Sequence, residues 1–370
     1  MKKILIIGGG FAGLSAAGRL CKSGLGLDVN LIDKKEENDF LPLLPDVVGR
    51  GIRPEFLGYE LKNASRHLGF KFINEEVISI SLEKREVSTR AGKLIYDYLI
   101  VASGSETNFY GNDNIKKYAY KLDDINDGRK IIRALKEEAF NNFIIGGAGY
   151  TGIELATNLR LFLERNKKPG KIVIVERQES ILGPLPLWMK DYVLGNLKRL
   201  NIDILTNSTI EHIEEGNVSV SGKRIFNQAM VVWAAGVKTA DFIRDLNVEK
   251  NPQGRIKVDD YLRLDENCFV VGDAAYFSYK NSYLRMAVQF AIAQGNCAAG
   301  NIINSIKVRQ LHRYKPIDFG YIIPMANNKS CGKIIGLSLK GYAPTVFHYI
   351  MCFYRSYGVR NKFGILNNLK

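Results

Sequence analysis

The 370-residue chain has few cysteines and no long hydrophobic run. Its five cysteines are Cys21, Cys268, Cys297, Cys331 and Cys352. No two of them form a CxxC pair, so the sequence predicts neither a zinc or other metal site nor a redox dithiol, and the thiols are expected to be reduced packing residues. The apolar stretches are shorter than the ~18 to 20 residues of a spanning helix, and the N-terminus is not typical of a signal peptide. We expect a cytoplasmic chain without a transmembrane segment.

Acidic residues are nearly absent from the last quarter of the chain. The net charge is +14, and residues 274–370 contribute +12 of it, because this stretch contains 13 Lys and Arg but one acid, Asp318. A basic terminal region can bind nucleic acid, an anionic membrane surface or only water. The rest of the composition is typical of a globular protein that is long enough for more than one domain.

A glycine-rich loop follows the first predicted strand, residues 2–7. The sequence "GGGFAG" places Gly8, Gly10 and Gly13 in a GxGxxG pattern between this strand and a predicted helix. The glycines permit a tight turn, the approach of a pyrophosphate and close packing of helix on strand. Asp33 ends the next predicted strand 20 residues after Gly13, where a carboxylate accepts hydrogen bonds from a ribose. This stretch therefore predicts a dinucleotide site.

A second loop of the same kind lies 139 residues later, in "FIIGGAGYTGIELA". Gly147, Gly149 and Gly152 repeat the pattern, and Glu176 follows 24 residues after the last of them. This arrangement fits a nicotinamide dinucleotide, and the Glu176 carboxylate repels a 2′-phosphate, so we predict NADH rather than NADPH. Arg177 leaves NADPH open, because a guanidinium next to the site can accommodate that phosphate.

Two later stretches indicate which nucleotide the first loop binds. "YDYLIVASGSETNFYG" (96–111) and "CFVVGDAAYF" (268–277) each place a turn of small residues after an apolar strand. In the second stretch, Asp273 is suited to bond a polyol chain. Together with the first loop, these segments resemble the FAD-binding pattern of the two-dinucleotide-fold flavoproteins related to disulfide reductases. Hydride would then pass from the nicotinamide to the flavin.

The fold class that these units predict is α/β, with two Rossmann-like dinucleotide-binding domains and small crossover β-sheets. The alternating runs "KFINEEVISI" and "DILTNSTIEHI" predict these sheets to be antiparallel. The predicted domains are an FAD-binding domain formed by 1–110 and 246–318, an NADH-binding domain at 111–245, and a C-terminal amphipathic, basic and membrane-associating segment at 319–370.

The electron acceptor is indicated by a second resemblance. Related disulfide and peroxide reductases carry a redox cysteine after the first ribose acid, but "KKEENDFLPLLPDVVGRG" contains none. Its "FLPLLP" portion looks like the FxPLL stretch of type II NADH:quinone oxidoreductases, and "VVWAAGVKT" is similar to their AAGV turn. "RMAVQFAIAQG" looks like their AQxAxQ helix near quinone and flavin. Gln289 and Ala291 match that pattern, Val288 and Ala293 depart from it, and Gln294 lies one residue late.

This resemblance implies an FAD-dependent enzyme that oxidises NADH and reduces a membrane quinone by two electrons without pumping ions. It also implies a homodimer at the cytoplasmic face of the membrane. Glu154, as a contact of the nicotinamide, and Gln289 are the candidate catalytic residues. The alternative for Glu154 is an acid at the helix N-terminus that stabilises the helix dipole. The alternative for Gln289 is a polar helix residue that satisfies nearby backbone groups. The further residues expected to bind the cofactors are Phe11, Ala12, Lys34, Pro42, Val77, Ala102, Ser103, Gly104, Gly272, Asp273, Ala274, Tyr150, Thr151 and Gly236.

The C-terminal sequence "PTVFHYIMCFYRSYGVRNKF" predicts an amphipathic helix with basic flanks. An apolar and aromatic face of this kind suits a helix that lies in a lipid headgroup layer. The alternative is a core or dimer-interface helix, and nucleic acid is disfavoured because no binding motif is present. The residues predicted on the apolar face are Val346, Phe347, Tyr349, Ile350, Phe353, Tyr354 and Tyr357.

Three other functions remain open from the sequence. A sulfide:quinone oxidoreductase would use cysteines near the flavin, and Cys331 is the candidate, but no cysteine between Cys21 and Cys268 could partner it. A reductase of a ferredoxin- or rubredoxin-type protein would bind the same two cofactors and dock its partner on the basic tail. A binding protein with vestigial loops is the third. The candidate proton donors to the quinone are Lys329, Lys333 and Lys340.

Overall fold

The computed structural model describes residues 1–214, 216–222, 224–280 and 282–368, so the end of the predicted C-terminal segment, 369–370, lies outside the described residues. Contacts divide the chain into two compact units. Unit 1 consists of Met1–Asn38, Tyr59–Glu106 and Val237–Asp318. Unit 2 consists of Asp39–Gly58, Thr107–Gly236 and Phe319–Lys370. The predicted domains assign 39–58 to the FAD-binding domain and 319–370 to a segment of its own, and both stretches cluster with the second glycine loop here.

The described α-helices, in chain order, are α1 (Phe11–Cys21), α2 (Leu44–Gly49), α3 (Leu61–Leu68), α4 (Asp113–Tyr118), α5 (Ile125–Glu137), α6 (Tyr150–Arg165), α7 (Leu187–Arg199), α8 (Asp241–Arg244), α9 (Val288–Ile306), α10 (Tyr342–Arg355) and α11 (Val359–Asn368). Short 3₁₀ turns occur at Leu41–Leu43, Pro54–Phe56 and Gly272–Ala274.

The strands up to the second glycine loop are β1 (Lys3–Ile7), β2 (Asp28–Asp33), β3 (Glu37–Asp39), β4 (Gly58–Glu60), β5 (Lys71–Asn74), β6 (Val77–Ser81), β7 (Glu86–Thr89), β8 (Lys93–Ile95), β9 (Tyr98–Val101), β10 (Glu106–Thr107) and β11 (Asn142–Gly146). The later strands are β12 (Lys171–Val175), β13 (Ile202–Leu205), β14 (Ile210–Glu214), β15 (Asn217–Val220), β16 (Arg224–Phe226), β17 (Ala229–Trp233), β18 (Val237–Lys238), β19 (Ile256–Lys257), β20 (Cys268–Val270), β21 (Ala275–Tyr276), β22 (Ser278–Tyr279), β23 (Ser282–Tyr283), β24 (Gly320–Ile323), β25 (Ser330–Ile334) and β26 (Leu337–Gly341).

Unit 1 is built on a parallel five-stranded sheet with the order β20-β9-β1-β2-β5. Its central strand, β1, has the sequence KILII and is buried from Ile4 onwards, as expected of a parallel strand that is covered on both faces. Helix α9 packs so closely on α1 that a Cβ at Gly295 would lie 2.2 Å from the Ala12 carbonyl oxygen. This packing puts α9, with Gln289, in the same unit as the first glycine loop.

Unit 2 is built on a parallel four-stranded sheet with the order β13-β12-β11-β17. Every residue of β17 (AMVVW) is buried. Helix α2 packs against α6 at Gly49, where a Cβ would lie 2.2 Å from the Asn158 carbonyl oxygen. Unit 2 therefore holds the second glycine loop, the α2 segment and the C-terminal helices together.

The predicted antiparallel crossover sheets are present, but the quoted runs are only partly in them. β6, β7 and β8 form one antiparallel sheet, and β14, β15 and β16 form another. The first halves of the two runs, β5 and β13, are instead parallel edge strands of the main sheets. Both strands follow a helix, and a strand–helix–strand crossover returns the chain parallel to its starting strand.

The C-terminal stretch differs from the single predicted helix. It contains the antiparallel sheet β24-β25-β26 and two helices, because α10 ends at Arg355 and Gly358 adopts φ +80° before α11. The sequence predicts Tyr349 on the apolar face, but its hydroxyl turns inward and donates to Asp46. Among the described residues, no helix has both the length and the apolar character needed to cross a membrane.

Candidate active site

The first glycine loop has the geometry that a dinucleotide requires. Gly8 has φ +107°, and a Cβ there would lie 2.3 Å from the Ala102 carbonyl oxygen. A Cβ at Gly13 would lie 1.9 Å from the Gly8 carbonyl oxygen, so only glycine fits at both positions. Gly10 caps α1 in an extended conformation, and its would-be Cβ has no atom within 4 Å. The N-terminus of α1 therefore faces open space at Gly10, and the N-terminus of a helix is where phosphates bind.

The second loop repeats this geometry in Unit 2. Gly147 has φ +102°, and a Cβ there would lie 2.7 Å from the Ala234 carbonyl oxygen. A Cβ at Gly152 would lie 2.0 Å from the Gly147 carbonyl oxygen, and Gly149 again has open space around its would-be Cβ. Tyr150, a predicted cofactor-binding residue, is the first residue of α6. The second cradle thus fits another dinucleotide pyrophosphate at the N-terminus of α6.

The two predicted ribose acids are fixed in the same way. Asp33 Oδ2 accepts the Gly9 N–H at 2.6 Å, and its Oδ1 accepts the Lys35 N–H at 2.8 Å. Glu176 Oε2 accepts the Ala148 N–H at 2.7 Å, and its Oε1 accepts the Gln178 N–H at 2.9 Å. Each carboxylate is therefore held at its glycine loop, with lone pairs left for a ribose diol.

Other predicted flavin residues collect around the first loop in Unit 1. The Ser103 hydroxyl is buried, and no hydrogen-bond partner for it is found among the described residues. A Cβ at Gly272 would contact the Ala12 methyl group at 3.3 Å, and Asp273 accepts the Ser105 hydroxyl at 3.0 Å. Burial raises the pKa of Asp273. A buried hydroxyl without a partner and a buried acid near the loop are polar groups that a flavin dinucleotide can satisfy.

The remaining predicted residues are divided between the units. Phe11 and Ala12 begin α1, Ala102, Ser103 and Gly104 follow β9, Ala274 ends the 3₁₀ turn, Lys34 follows Asp33, and Val77 begins β6, all in Unit 1. Pro42 lies in the 3₁₀ turn before α2, Thr151 in α6, and Gly236 after β17, all in Unit 2. Gly236 adopts φ +145°, and its would-be Cβ would meet the Tyr110 hydroxyl.

The glutamines of α9 have different environments. Gln289 Nε2 donates to Asp318 Oδ1 at 3.1 Å, and Arg285 binds both oxygens of Asp318 at 2.6 and 2.8 Å. Gln294 is buried, and its Oε1 accepts the Gly272 N–H at 2.7 Å. The glutamine that lies one residue late in the sequence pattern thus fixes the turn that carries Asp273.

Glu154 lies on the second turn of α6, and therefore beyond the helix N-terminus. Burial raises the pKa of its carboxyl well above the ordinary value, and the nearby Asp46 raises it further. Burial and the nearby Asp46 both disfavour the charged carboxylate, which is the form that stabilises a helix dipole, so this environment disfavours the dipole interpretation. Groups with strongly perturbed pKa values are typical of functional sites.

Sequence reasoning missed a buried polar cluster next to Glu154. Asp46 Oδ1 lies 3.3 Å from Arg50 Nε, 3.3 Å from Asn158 Nδ2 and 3.1 Å from the Tyr349 hydroxyl. Burial raises the pKa of Asp46 to about 6. One signal was available in the sequence: Asn158 follows Glu154 by four residues, on the same face of α6.

Two parallel sheets, each with a glycine loop, an open helix N-terminus and a fixed acid, define an oxidoreductase of the two-dinucleotide class. A model of the pyridine nucleotide-disulphide oxidoreductases matches residues 2–295, and the chain belongs to this family. The predicted α/β fold class is thereby confirmed. The predictions of an oxidoreductase and of FAD and NADH as its cofactors agree with the family.

The matches to known proteins cover nearly the whole length of the chain. It is 25% identical to a type II NADH:quinone oxidoreductase of Staphylococcus haemolyticus, over 92% of this chain and 91% of that protein. The fold is similar to NDH2 from Plasmodium falciparum in complex with NADH, with a TM-score of 0.87, 18% identity and coverage of 100% and 97%. It is also similar to the sulfide:quinone oxidoreductase of Aquifex aeolicus, with a TM-score of 0.81, 18% identity and coverage of 98% and 92%. The predicted resemblance is confirmed, while the solved structures establish the fold alone.

Proposed function

We propose that this chain is an FAD-dependent NADH:quinone oxidoreductase that reduces a membrane quinone by two electrons and pumps no ions. The observation that carries this proposal is the duplicated cradle: two glycine loops of nearly equal geometry, each with its own fixed carboxylate. One cradle serves a flavin and the other the nicotinamide nucleotide that reduces it. The named activity of the staphylococcal relative supports NADH as the donor and quinone as the acceptor.

The flavin would be held by residues of Unit 1. The open N-terminus of α1 binds the pyrophosphate, Asp33 accepts the ribose hydroxyls, and Asp273 with Ser103 bonds the polyol and ring end. Bound FAD would supply the two-electron chemistry, accepting a hydride and passing the electron pair to the quinone. Gln294 contributes indirectly, because it holds the Gly272 turn that presents Asp273.

NADH would be held by residues of Unit 2. The N-terminus of α6 binds its pyrophosphate, and Glu176 binds the adenine ribose and repels a 2′-phosphate. Glu154 follows on the same helix, so it is the candidate to contact the nicotinamide or to move a proton. Gln289 in Unit 1, oriented by Asp318, is the candidate for the acceptor end.

The state of the cysteines supports a quinone enzyme that uses no thiol relay. The five cysteines are free, and burial raises the pKa of each thiol. For Cys331, the candidate for sulfide chemistry, burial raises the pKa to about 12. A thiol is nucleophilic only as the thiolate, so Cys331 is poorly suited to attack sulfur. We therefore favour NADH over sulfide as the donor.

The C-terminal helices support membrane association, which we propose takes place at the cytoplasmic face. On α10, Ile350 is 56% exposed and Tyr354 is 74% exposed, and Phe363 of α11 is exposed as well. Arg360 and Lys362 supply positive charge next to this apolar surface. Apolar groups that enter the headgroup layer, with cations next to anionic lipid, suit a peripheral protein. The family resemblance also implies a homodimer.

Membrane association is tested with surface substitutions, because deletion of the tail would also remove the inward Tyr349. We expect the double substitution Ile350→Ser and Tyr354→Ser to release the protein from anionic vesicles in a flotation assay. The matched control is Val308→Ser, which changes a 93% exposed apolar residue of Unit 1. Equal flotation of the double variant and the wild type would contradict membrane association through α10.

Anaerobic stopped-flow spectroscopy tests the activity. The flavin absorption band should bleach rapidly when NADH is added and recover rapidly when a short-chain quinone follows. Cys331→Ser should behave like the wild type. Bleaching with sulfide but not with NADH would establish the sulfide enzyme instead. Bleaching without recovery on quinone would indicate a protein acceptor such as a ferredoxin or rubredoxin.

A further inference from the structure

Helix α10 has an inner polar face as well as its exposed apolar face. On the inner side, the Tyr349 hydroxyl donates to Asp46 Oδ1 at 3.1 Å, across 303 residues of sequence. Thr345 and Ser330 share a buried hydrogen bond of 2.6 Å, which ties the helix to β25. These contacts fix α10 within Unit 2, and the Tyr349 contact joins it to α2.

The same α2 residue is connected to α6. Asn158 Nδ2 donates to Asp46 Oδ1 at 3.3 Å and to the Glu154 carbonyl oxygen at 3.0 Å. Arg165, at the end of α6, donates to the carbonyl oxygens of Gly49 and Arg50 at 3.0 and 3.2 Å. These bonds hold α2 against α6 at Asp46 and at the C-terminal end of α2. The position of Asp46 relative to Glu154 is therefore fixed.

Asp46 is the ionised acid of this cluster at neutral pH. The titratable and charged side chains of the cluster are Asp46 of α2, Arg50 directly after α2, Glu154 of α6, and His348, Tyr349 and Cys352 of α10. Strand β24, which also packs on α6, contributes Tyr321. Burial lowers the pKa of His348 to about 4 and raises that of Cys352, so both are uncharged. Arg50 is the counter-ion of Asp46, at 3.3 Å.

We propose that Asp46 and Tyr349 are positioning residues for Glu154, and that their hydrogen bond makes α10 part of the apparatus for proton transfer at the Glu154 carboxyl. This inference rests on the proposed function, in which NADH, one proton from solvent and a quinone yield NAD⁺ and a quinol. Glu154 would give its proton to the quinone as the quinol forms, become a carboxylate, and regain a proton from solvent. Helix α10, which we propose lies on lipid, would thereby also affect proton transfer at Glu154.

The titration of Glu154 in the flavin-loaded protein tests the proposal directly. The carboxyl C=O band in infrared difference spectra, assigned by its loss in Glu154→Gln, gives the midpoint pH without any substrate. Asp46→Asn removes the neighbouring negative charge, so the Glu154 midpoint should move to lower pH. Tyr349→Phe removes a donor that stabilises the ionised Asp46. Asp46 then stays neutral to higher pH, so the Glu154 midpoint should again move to lower pH, by a smaller amount than in Asp46→Asn.

The matched control is Tyr342→Phe, which removes an exposed hydroxyl from the same helix and should leave the midpoint unchanged. Quinone turnover adds a second measurement: in Asp46→Asn and Tyr349→Phe the alkaline limb of the kcat–pH profile should shift to lower pH, with the KM for NADH unchanged. If Asp46→Asn does not fold, Tyr349→Phe decides alone.

The outcomes separate this inference from the proposed function. An unchanged Glu154 midpoint in folded Asp46→Asn or Tyr349→Phe overturns the positioning role. A shifted midpoint with an unshifted kcat profile overturns the part in proton transfer. A shifted midpoint in a protein that reduces no quinone leaves the positioning of Glu154 in place and removes the proposed acceptor.

Discussion

The first and second glycine loops have nearly the same backbone and different surroundings. Gly8 and Gly147 have φ values of +107° and +102°, and the would-be Cβ atoms of Gly13 and Gly152 lie 1.9 and 2.0 Å from the carbonyl oxygen of the first glycine. The helix packed against α1 is α9, whose Gln294 fixes the Asp273 turn. The helix packed against α6 is α2, which carries Asp46.

Under the proposed function, the choice of ligand by each loop would arise from this difference. The backbone of each loop provides the same pyrophosphate cradle, and it cannot by itself distinguish a flavin from a nicotinamide nucleotide. The groups next to each loop differ: a buried acid, Asp273, and the buried Ser103 hydroxyl in Unit 1, and Glu154, whose pKa is raised by burial, with the ion-paired Asp46 in Unit 2. Substitutions in corresponding positions of the two loops can therefore separate the two binding events.

The largest effect is expected at the third glycine of each loop. Gly152→Ala places a methyl group against the Gly147 carbonyl, so the protein should keep FAD and lose flavin reduction by NADH, while dithionite still bleaches the flavin. Gly13→Ala should yield protein without FAD. The control is Gly195→Ala, on an exposed face of α7 with open space around it. A Gly152→Ala protein that NADH still reduces at the wild-type rate would contradict the assignment of the second loop.

A smaller effect is expected at the middle glycines, which face open space. Gly10→Ala and Gly149→Ala meet no protein atom within 4 Å, so the fold and its Tm should not change. The added methyl group should keep the pyrophosphate from the loop and weaken binding of FAD or NADH by roughly tenfold to a hundredfold, or about 1.4 to 2.7 kcal/mol. Fluorescence titration measures both Kd values. Unchanged affinities would mean that no phosphate approaches these glycines.

The acid of the second loop should set cofactor preference. Wild-type protein should have a higher kcat/KM with NADH than with NADPH, because Glu176 repels the 2′-phosphate. Glu176→Gln keeps an acceptor for the Ala148 N–H and removes the charge, so the preference should fall by about tenfold, or about 1.4 kcal/mol. Arg177→Gln is the matched variant for the neighbouring cation. A wild-type preference for NADPH would show that Arg177 rather than Glu176 governs the site.

The smallest effect on cofactor binding is expected where the loops differ, at Gly9 and Ala148, since a change there should affect stability instead. A Cβ at Gly9 would lie 2.6 Å from the end of the Leu61 side chain, which can shift. Gly9→Ala should therefore retain FAD and lose about 1 to 3 kcal/mol of unfolding free energy, or a few degrees in Tm. Differential scanning fluorimetry with flavin emission measures both quantities. Loss of FAD from folded Gly9→Ala protein would show that this position is part of the cradle.

The sequence predicted the elements that depend on local pattern. Glycine spacing, apolar strands and the acids at strand ends are read along the chain, so the two loops, Asp33, Glu176 and the α/β class followed from it. The antiparallel assignment of β5 and β13 failed, because short alternating runs do not show which neighbour a strand pairs with.

Only the tertiary structure decided which distant residues meet. Asp46 and Tyr349 are 303 residues apart, and no spacing rule joins them, yet they share a hydrogen bond in the interior of Unit 2. Tyr349 fitted the periodicity of an apolar face equally well, because an aromatic side chain with a hydroxyl suits both lipid and a buried carboxylate. The sequence by itself determined the two nucleotide cradles, whereas the raised pKa of Glu154 depends on burial and on a charge brought close by folding.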